Sequence, residues 1–208
     1  MNIKIVLFDA EGVIFDLKES AWQFLFKELN LQPAYVKLRK EFEKGNLTYI
    51  EWSNRACKIL KEKGLSERKF LQVINSIPFA KGAKEVIGYL RYKGYVTGII
   101  SGSFWSLLRR VENVSYRVAH CHLIFKNGKL ERWKLVDCDY EGKVKWASKI
   151  AEQLNLSLRN VAYIGNDLND IPLLRKVGLA IVVKPKREEL RKFAHMVLDN
   201  IEGLRKIL

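Results

Sequence analysis

The residues best suited to chemistry sit directly after short apolar runs. Asp9-Ala10-Glu11-Gly12-Val13 follows Ile3–Phe8, and Ser101-Gly102-Ser103 follows Tyr95–Ile100. Gly165-Asn166-Asp167-Leu168-Asn169-Asp170 follows Val161–Ile164, and Lys143 opens a helical pattern ahead of that third run. Together they offer carboxylates, a hydroxyl, glycines, amides and one lysine, a set that suits phosphoryl transfer. A phosphate monoester carries roughly two negative charges, so an aspartate nucleophile approaches it only where that charge is offset. A Mg2+ ion and a lysine supply the offset, and N–H groups at a helix start after Ser101 would receive the phosphate oxygens. Attack by Asp9 would form an aspartyl-phosphate and split one hard step into two. The carboxyl of Glu11, two residues on, would protonate the leaving oxygen and later activate water.

These positions need a scaffold that gathers them. The three apolar runs, with a fourth at Leu179–Val183, are nearly continuous rather than alternating, as in parallel strands covered on both faces. Between them lie helical patterns: Phe104, Leu107, Leu108 and Val111, then Val144, Ala147, Ala151 and Leu154. Alternation of this kind predicts an α/β fold with a doubly wound parallel sheet, and such sheets bind ligands at the carboxyl ends of their strands. Two segments interrupt it. Residues 16–75 show helical periodicity (Trp22, Leu25, Phe26, Leu29) with no strand-like run, which predicts a small helical cap inserted after the first strand of a core formed by residues 1–15 and 76–208. Within His120–Val136, Asn127-Gly128 predicts a tight hairpin, since both residues accept positive φ.

With four loops in order (Asp9-x-Glu11-Gly12-Val13, Ser101-Gly102, Lys143, Gly165-Asn166-x-x-x-Asp170), the chain resembles the haloacid dehalogenase (HAD) superfamily, in its phosphoserine phosphatase-like branch. The resemblance extends over essentially the whole chain and implies a Rossmann-like core and a Mg2+-dependent phosphatase. It assigns Asp9 as nucleophile and metal ligand, and Glu11 as acid/base with its backbone carbonyl on the metal. Ser101, Gly102 and Lys143 would hold the phosphate, Lys143 bridging it to Asp9. Asn166 falls on the metal-carboxylate position, Asp170 supports the metal, and Asn169 lies near the substrate. Helices over about 16–75 would close over the substrate and exclude water. Glu19 and Arg55 are the nearest candidates for reading an amino-acid head group, each about one residue out of the family's register; the alternative is solvated helix charges.

Two positions depart from the family. Glu11 stands where the family usually has Asp, which preserves the acid but lengthens its arm by one methylene. Asn166 stands where the family usually has Asp, which keeps an oxygen ligand but removes its charge. The expectation is a functional but weaker magnesium site, with Asp167 placed to compensate.

Composition bounds the rest. The 208 residues are 48% hydrophobic, enough for one domain or a core with a smaller insert. No run reaches the roughly eighteen apolar residues of a membrane span, and the apolar N-terminus meets Asp9 too soon for a signal peptide. A cytoplasmic protein is expected, with Cys57, Cys121 and Cys138 reduced. His120-Cys121-His122 invites a zinc reading, but alternation on a strand turns Cys121 away from both histidines. The net charge of +14 is spread along the whole chain, which favours attraction of anionic substrates or a charge-rich surface over nucleic-acid binding. The partner expected is a small phosphorylated metabolite, best represented by phosphoserine, and the chain is expected to be a monomer or homodimer. Two other functions stay open: a HAD-fold phosphate-ligand-binding or regulatory protein, and a phosphatase of nucleic-acid ends.

Overall fold

A computed structural model describes residues 2–208. Strand β1 (Ile5–Phe8) is apolar and buried at every position. It lies at the centre of a seven-stranded sheet with β2 (Val96–Phe104), β3 (Tyr116–Lys126), β4 (Lys129–Leu135), β5 (Val161–Gly165), β6 (Leu179–Val183) and β7 (Met196–Leu198), in the order β4-β3-β2-β1-β5-β6-β7. Only the β3–β4 pair is antiparallel. The four expected buried strands are β1, β2, β5 and β6. Phe8 pairs with Ile99 on one side and Ile164 on the other, so the chain segments leaving β1, β2 and β5 emerge side by side. The sheet order reverses at β1, where a crevice opens in folds of this kind.

The insert after β1 is helical: α1 (Ala21–Glu28), α2 (Gln32–Glu43), α3 (Tyr49–Glu62) and α4 (Glu67–Ser76). Side-chain oxygens of Ser20, Thr48 and Ser66 cap α1, α3 and α4, the second in a reciprocal box with Glu51. The incoming and outgoing chains of the insert are tied together. Ala80 N–H donates to Ile14 O at 2.8 Å and Asp16 N–H to Pro78 O at 2.9 Å, and the rings of Phe15 and Phe79 lie 4.7 Å apart. Apolar faces including Trp22, Leu25 and Phe26 of α1 and Trp52, Ala56 and Cys57 of α3 join one continuous core with β1 and β2.

The expected hairpin joins β3 to β4, with Asn127 at φ 50° and Gly128 at φ 72°. It supports the insert as well as the sheet edge. Leu130 N–H donates to Leu65 O, Glu67 N–H to Gly128 O, and the Trp133 indole to Asn54 Oδ1 at 2.8 Å. His120 bridges Ser53 Oγ and Val136 O, both at 2.7 Å, and His122 stacks on Trp105 at 5.1 Å. These histidines serve packing between elements.

The sheet is completed by α5 (Ala83–Tyr92), α6 (Trp105–Leu108), α7 (Glu141–Gln153) and α8 (Ile171–Leu174). One expectation fails here. No helix opens at Ser101, because β2 continues to Phe104 with a register shift between Ser101 and Phe104, and α6 is a single turn beginning at Trp105. The N–H groups of Gly102 and Ser103 therefore belong to a bulged strand end. Among the described residues, no helix is long and apolar enough to cross a membrane.

Candidate active site

Asp9 leaves the end of β1 with its N–H donating to Ile164 O of β5 at 2.8 Å. Its carboxylate meets Lys143, which the first turn of α7 presents from the other face of the crevice. The Lys143 ammonium is wholly buried and its three protons have three acceptors: Asp9 Oδ1 at 3.0 Å, Asp170 Oδ1 at 2.6 Å and the Tyr163 hydroxyl at 3.1 Å. Tyr163 in turn donates to Asp170 Oδ1 at 2.6 Å. Burial works against the charged lysine, but Asp170 and Asp9 outweigh it and hold its pKa well above the usual value. For Asp9 the balance falls the other way. Burial exceeds the pull of Lys143 and lifts its carboxyl to about 6. Asp170, closer to the ammonium, stays below the usual range despite its burial.

Asp170 also organises its own loop. Its Oδ2 accepts from the N–H groups of Asn166 (2.7 Å) and Asp167 (3.0 Å), and a Cβ at Gly165 would collide with its carboxylate. Each oxygen thus accepts two bonds. Neither oxygen of Asp170 is left free, which suits the supporting role expected of it. Its contacts fix Lys143 and the 165–170 loop. Asn166 differs. It is 1% exposed and its Oδ1 has no partner, while its side chain lies so close to Gly12 that a Cβ there would collide with it. The carboxyl of Glu11 has a similarly buried, unpartnered Oε1, and burial pushes its pKa up.

A cavity of about 450 Å³ opens above Asp9. Core residues around it include Glu11, Ser101, Gly102, Asp139 and Asn169. Lys143, Asn166 and Asp170 are buried and outside its lining. The Gly102 carbonyl is clamped from the insert by the Trp22 indole at 3.2 Å and the Tyr49 hydroxyl at 2.8 Å. A Cβ at Gly102 would stand 2.8 Å from Asp139 Oδ2 and 2.9 Å from the Tyr49 hydroxyl, so any side chain there would have to displace one of them. Asn169 donates to Asp139 Oδ1 at 2.6 Å. Asp167 pairs with Lys186 at 3.0 Å, which draws the segment after β6 over the crevice.

Two candidates lie away from the cavity. Glu19 and Arg55 do not line the cavity. Arg55 lies on the exposed side of α3, whose opposite side buries Trp52, Ser53 and Ala56, and Glu19 faces Lys27 at 3.9 Å. The insert instead presents Lys18, Ser20, Trp22, Arg39, Tyr49 and Trp52. Sequence reading also passed over Asp139 and Tyr163. Asp139 could have been found as an acid one helical turn before Lys143, and Tyr163 as the one hydroxyl in an otherwise apolar strand. Burial raises the Asp139 carboxyl to about 6 against the pull of Lys143. Between Asp139 and Lys143, Tyr140 takes φ 46° and ψ −120°, a conformation costly for a side-chain-bearing residue that turns the chain into α7.

The family model of the haloacid dehalogenase-like hydrolases matches residues 3–178. A phosphoserine phosphatase of Methanocaldococcus jannaschii is 27% identical over 188 residues, covering 86% of this chain and 84% of the relative. One from Archaeoglobus fulgidus is 24% identical and covers 99% of this chain, which spans 60% of that longer relative. Among solved structures, a substrate-bound phosphoserine phosphatase complex superimposes with TM-score 0.83 at 23% identity, covering 100% of this chain and 99% of its own. A phospho-aspartyl intermediate analogue of phosphoserine phosphatase does so at 0.82 and 24%, covering all of both chains; at these identities the likeness speaks for the fold. With the model match running from β1 to the turn before β6, the chain belongs to the haloacid dehalogenase-like hydrolase family.

Proposed function

We propose that this chain hydrolyses phosphomonoesters through a covalent intermediate on Asp9. The observation that carries the reading is the buried Lys143 ammonium bonded to Asp9 at 3.0 Å, at the foot of a cavity bordered by Ser101 and Gly102. Phosphoserine, the substrate in the names of the relatives, is the first substrate we assign.

Asp9 attacks phosphorus as the bond to the leaving oxygen breaks. Glu11, whose buried carboxyl favours the protonated form, gives that oxygen its proton. The same group, now a carboxylate, takes a proton from the water that attacks the aspartyl-phosphate, and inorganic phosphate and Asp9 are regenerated. Ser101 and the Gly102 N–H orient the phosphate, and Lys143 balances the charge at Asp9. The clamp of Trp22 and Tyr49 on Gly102 holds the insert over the site and limits water.

The donor set fits a hard divalent cation, for which we assign magnesium. The Asp9 carboxylate, the residue 11 carbonyl and the unpartnered Asn166 Oδ1 would hold it. Among the described residues no three His, Cys, Asp or Glu side chains form a metal cluster, so one carboxylate with amide and carbonyl oxygens would hold the ion. When bound, the cation offsets phosphate charge. The three cysteines are free and buried, which suits a cytoplasmic protein.

The test is turnover of para-nitrophenyl phosphate and phosphoserine with and without magnesium, against Asp9→Asn. Magnesium-dependent turnover absent from the variant is expected. Turnover no greater than that of Asp9→Asn would overturn the reading and leave a phosphate-binding protein.

A further inference from the structure

The two ends of the cavity differ in charge. On the core side of the cavity Asp9 is engaged by Lys143, Asp139 by Asn169 and Asp167 by Lys186, while Glu11 lines the cavity with its Oε1 unpartnered. The leaving-group end is formed by the insert, and no carboxylate from the insert lines it. Its charged groups are both cations, Lys18 and Arg39. Lys18 has no ion-pair partner among the described residues. Arg39 has only its Nε committed, to Glu43 at 2.8 Å, with its guanidinium held 5.2 Å from the Phe42 ring. Trp52 lines the same end. It is 1% exposed and its Nε1–H is buried without an acceptor. A donor in that state is costly unless a ligand supplies the acceptor. The insert therefore brings donors and positive charge to the cavity and no carboxylate to receive an ammonium.

Resting on the phosphomonoesterase reading, we infer that the cavity selects a leaving group bearing an anionic acceptor, such as a carboxylate, and does not recognise an α-ammonium. Lys18, Arg39 and Trp52 set this preference. Phosphoserine meets half of it: its carboxylate finds donors, while its ammonium faces Lys18 and Arg39 with no carboxylate of the insert to pair it. A compound of the same shape without the ammonium is then the better substrate. A site whose donors are paired by a ligand, and which leaves a ligand charge unpaired in a competitor, discriminates by at least tenfold.

The experiment compares four phosphomonoesters with magnesium: 3-(phosphonooxy)propanoate (carboxylate only), propyl phosphate (neither charge), phosphoserine (both) and phosphoethanolamine (ammonium only). Expected is a kcat/KM about tenfold or more higher for 3-(phosphonooxy)propanoate than for phosphoserine, with phosphoethanolamine lowest. Lys18→Glu should reverse the ratio of the first to the third. Arg39→Gln should reduce the two carboxylates more than propyl phosphate. Equal or greater kcat/KM for phosphoserine, with a ratio unmoved by Lys18→Glu, overturns the inference. Calorimetric binding of the same compounds to Asp9→Asn separates this from the parent reading. The same order of affinity without turnover in the unsubstituted chain sinks the hydrolase and sustains the selectivity, whereas equal affinities overturn the selectivity whatever the turnover.

Discussion

Lys143 and Asp9, 134 residues apart in the chain, meet at 3.0 Å where the ammonium is wholly buried and the carboxylate borders the cavity, and the same ammonium lies 2.6 Å from Asp170. The lysine is neutralised by two carboxylates that would otherwise repel each other. Structure and the proposed chemistry are joined at this point, because the cation that would ready Asp9 to approach a phosphate also allows two acids to be buried together.

Replacing Lys143 with Met should therefore harm both. Removing one partner from a buried ionic group typically costs about 3–5 kcal/mol. Urea denaturation should show a loss of that order, and turnover of para-nitrophenyl phosphate should fall by about a thousandfold or more. A stable, active Lys143→Met protein would mean that the ammonium is not what holds these acids.

In the proposed site Asn166 would bring an oxygen but no charge to the cation, and that oxygen is buried without a partner. Asn166→Asp should tighten magnesium activation by about tenfold. The check is a magnesium titration of activity in the two proteins. An unchanged half-saturating concentration would place the cation elsewhere.

Gly102 has no room for a methyl group between Asp139 and Tyr49. Gly102→Ala should displace the phosphate loop and lower kcat by about a hundredfold, while stability falls by only about 1–3 kcal/mol. Unaltered kinetics would show that Gly102 is not positioned by this clamp.

His120 links the insert to the hairpin with both ring nitrogens engaged, and burial lowers its pKa from 6.5 to about 4. Between those values the unfolded chain binds the proton and the folded chain does not. Stability contributed at neutral pH is thus lost as pH falls from about 6.5 to about 4, by on the order of 3 kcal/mol. Asp9 and Asp139 act in the opposite sense. Their folded carboxyls, held near 6, bind protons that the unfolded chain has released, so they add stability as pH falls through 6. The histidine's share is read by comparison with His120→Asn, which should show less acid sensitivity in this window. Parallel stability–pH curves for the two proteins would remove His120 from the account.

Much of the site was legible because its residues follow strand ends. The apolar runs located β1, β2 and β5, and a parallel sheet brings their carboxyl ends together whatever lies between. Asn127-Gly128 located the hairpin because positive φ is a local property of those two residues. The misses share a different cause. Phe104, Leu107, Leu108 and Val111 have helical spacing, yet pairing with β3 extends β2 through Phe104 and leaves a single turn of helix. Arg39 and Lys18 reach the cavity, and Arg55 does not, because of how the insert's helices pack on one another and on the hairpin. That packing depends on contacts between distant segments such as Trp133 with Asn54. Tyr163 was hidden by its apolar neighbours, and only the burial of Lys143 gives its hydroxyl a role.

The most direct measurement is mass spectrometry of the chain quenched in acid during turnover with magnesium and a phosphomonoester. A phosphoryl group on the peptide containing Asp9, absent from Asp9→Asn, is the predicted result. Steady turnover with no adduct at Asp9, or turnover that survives Asp9→Asn, would contradict the account.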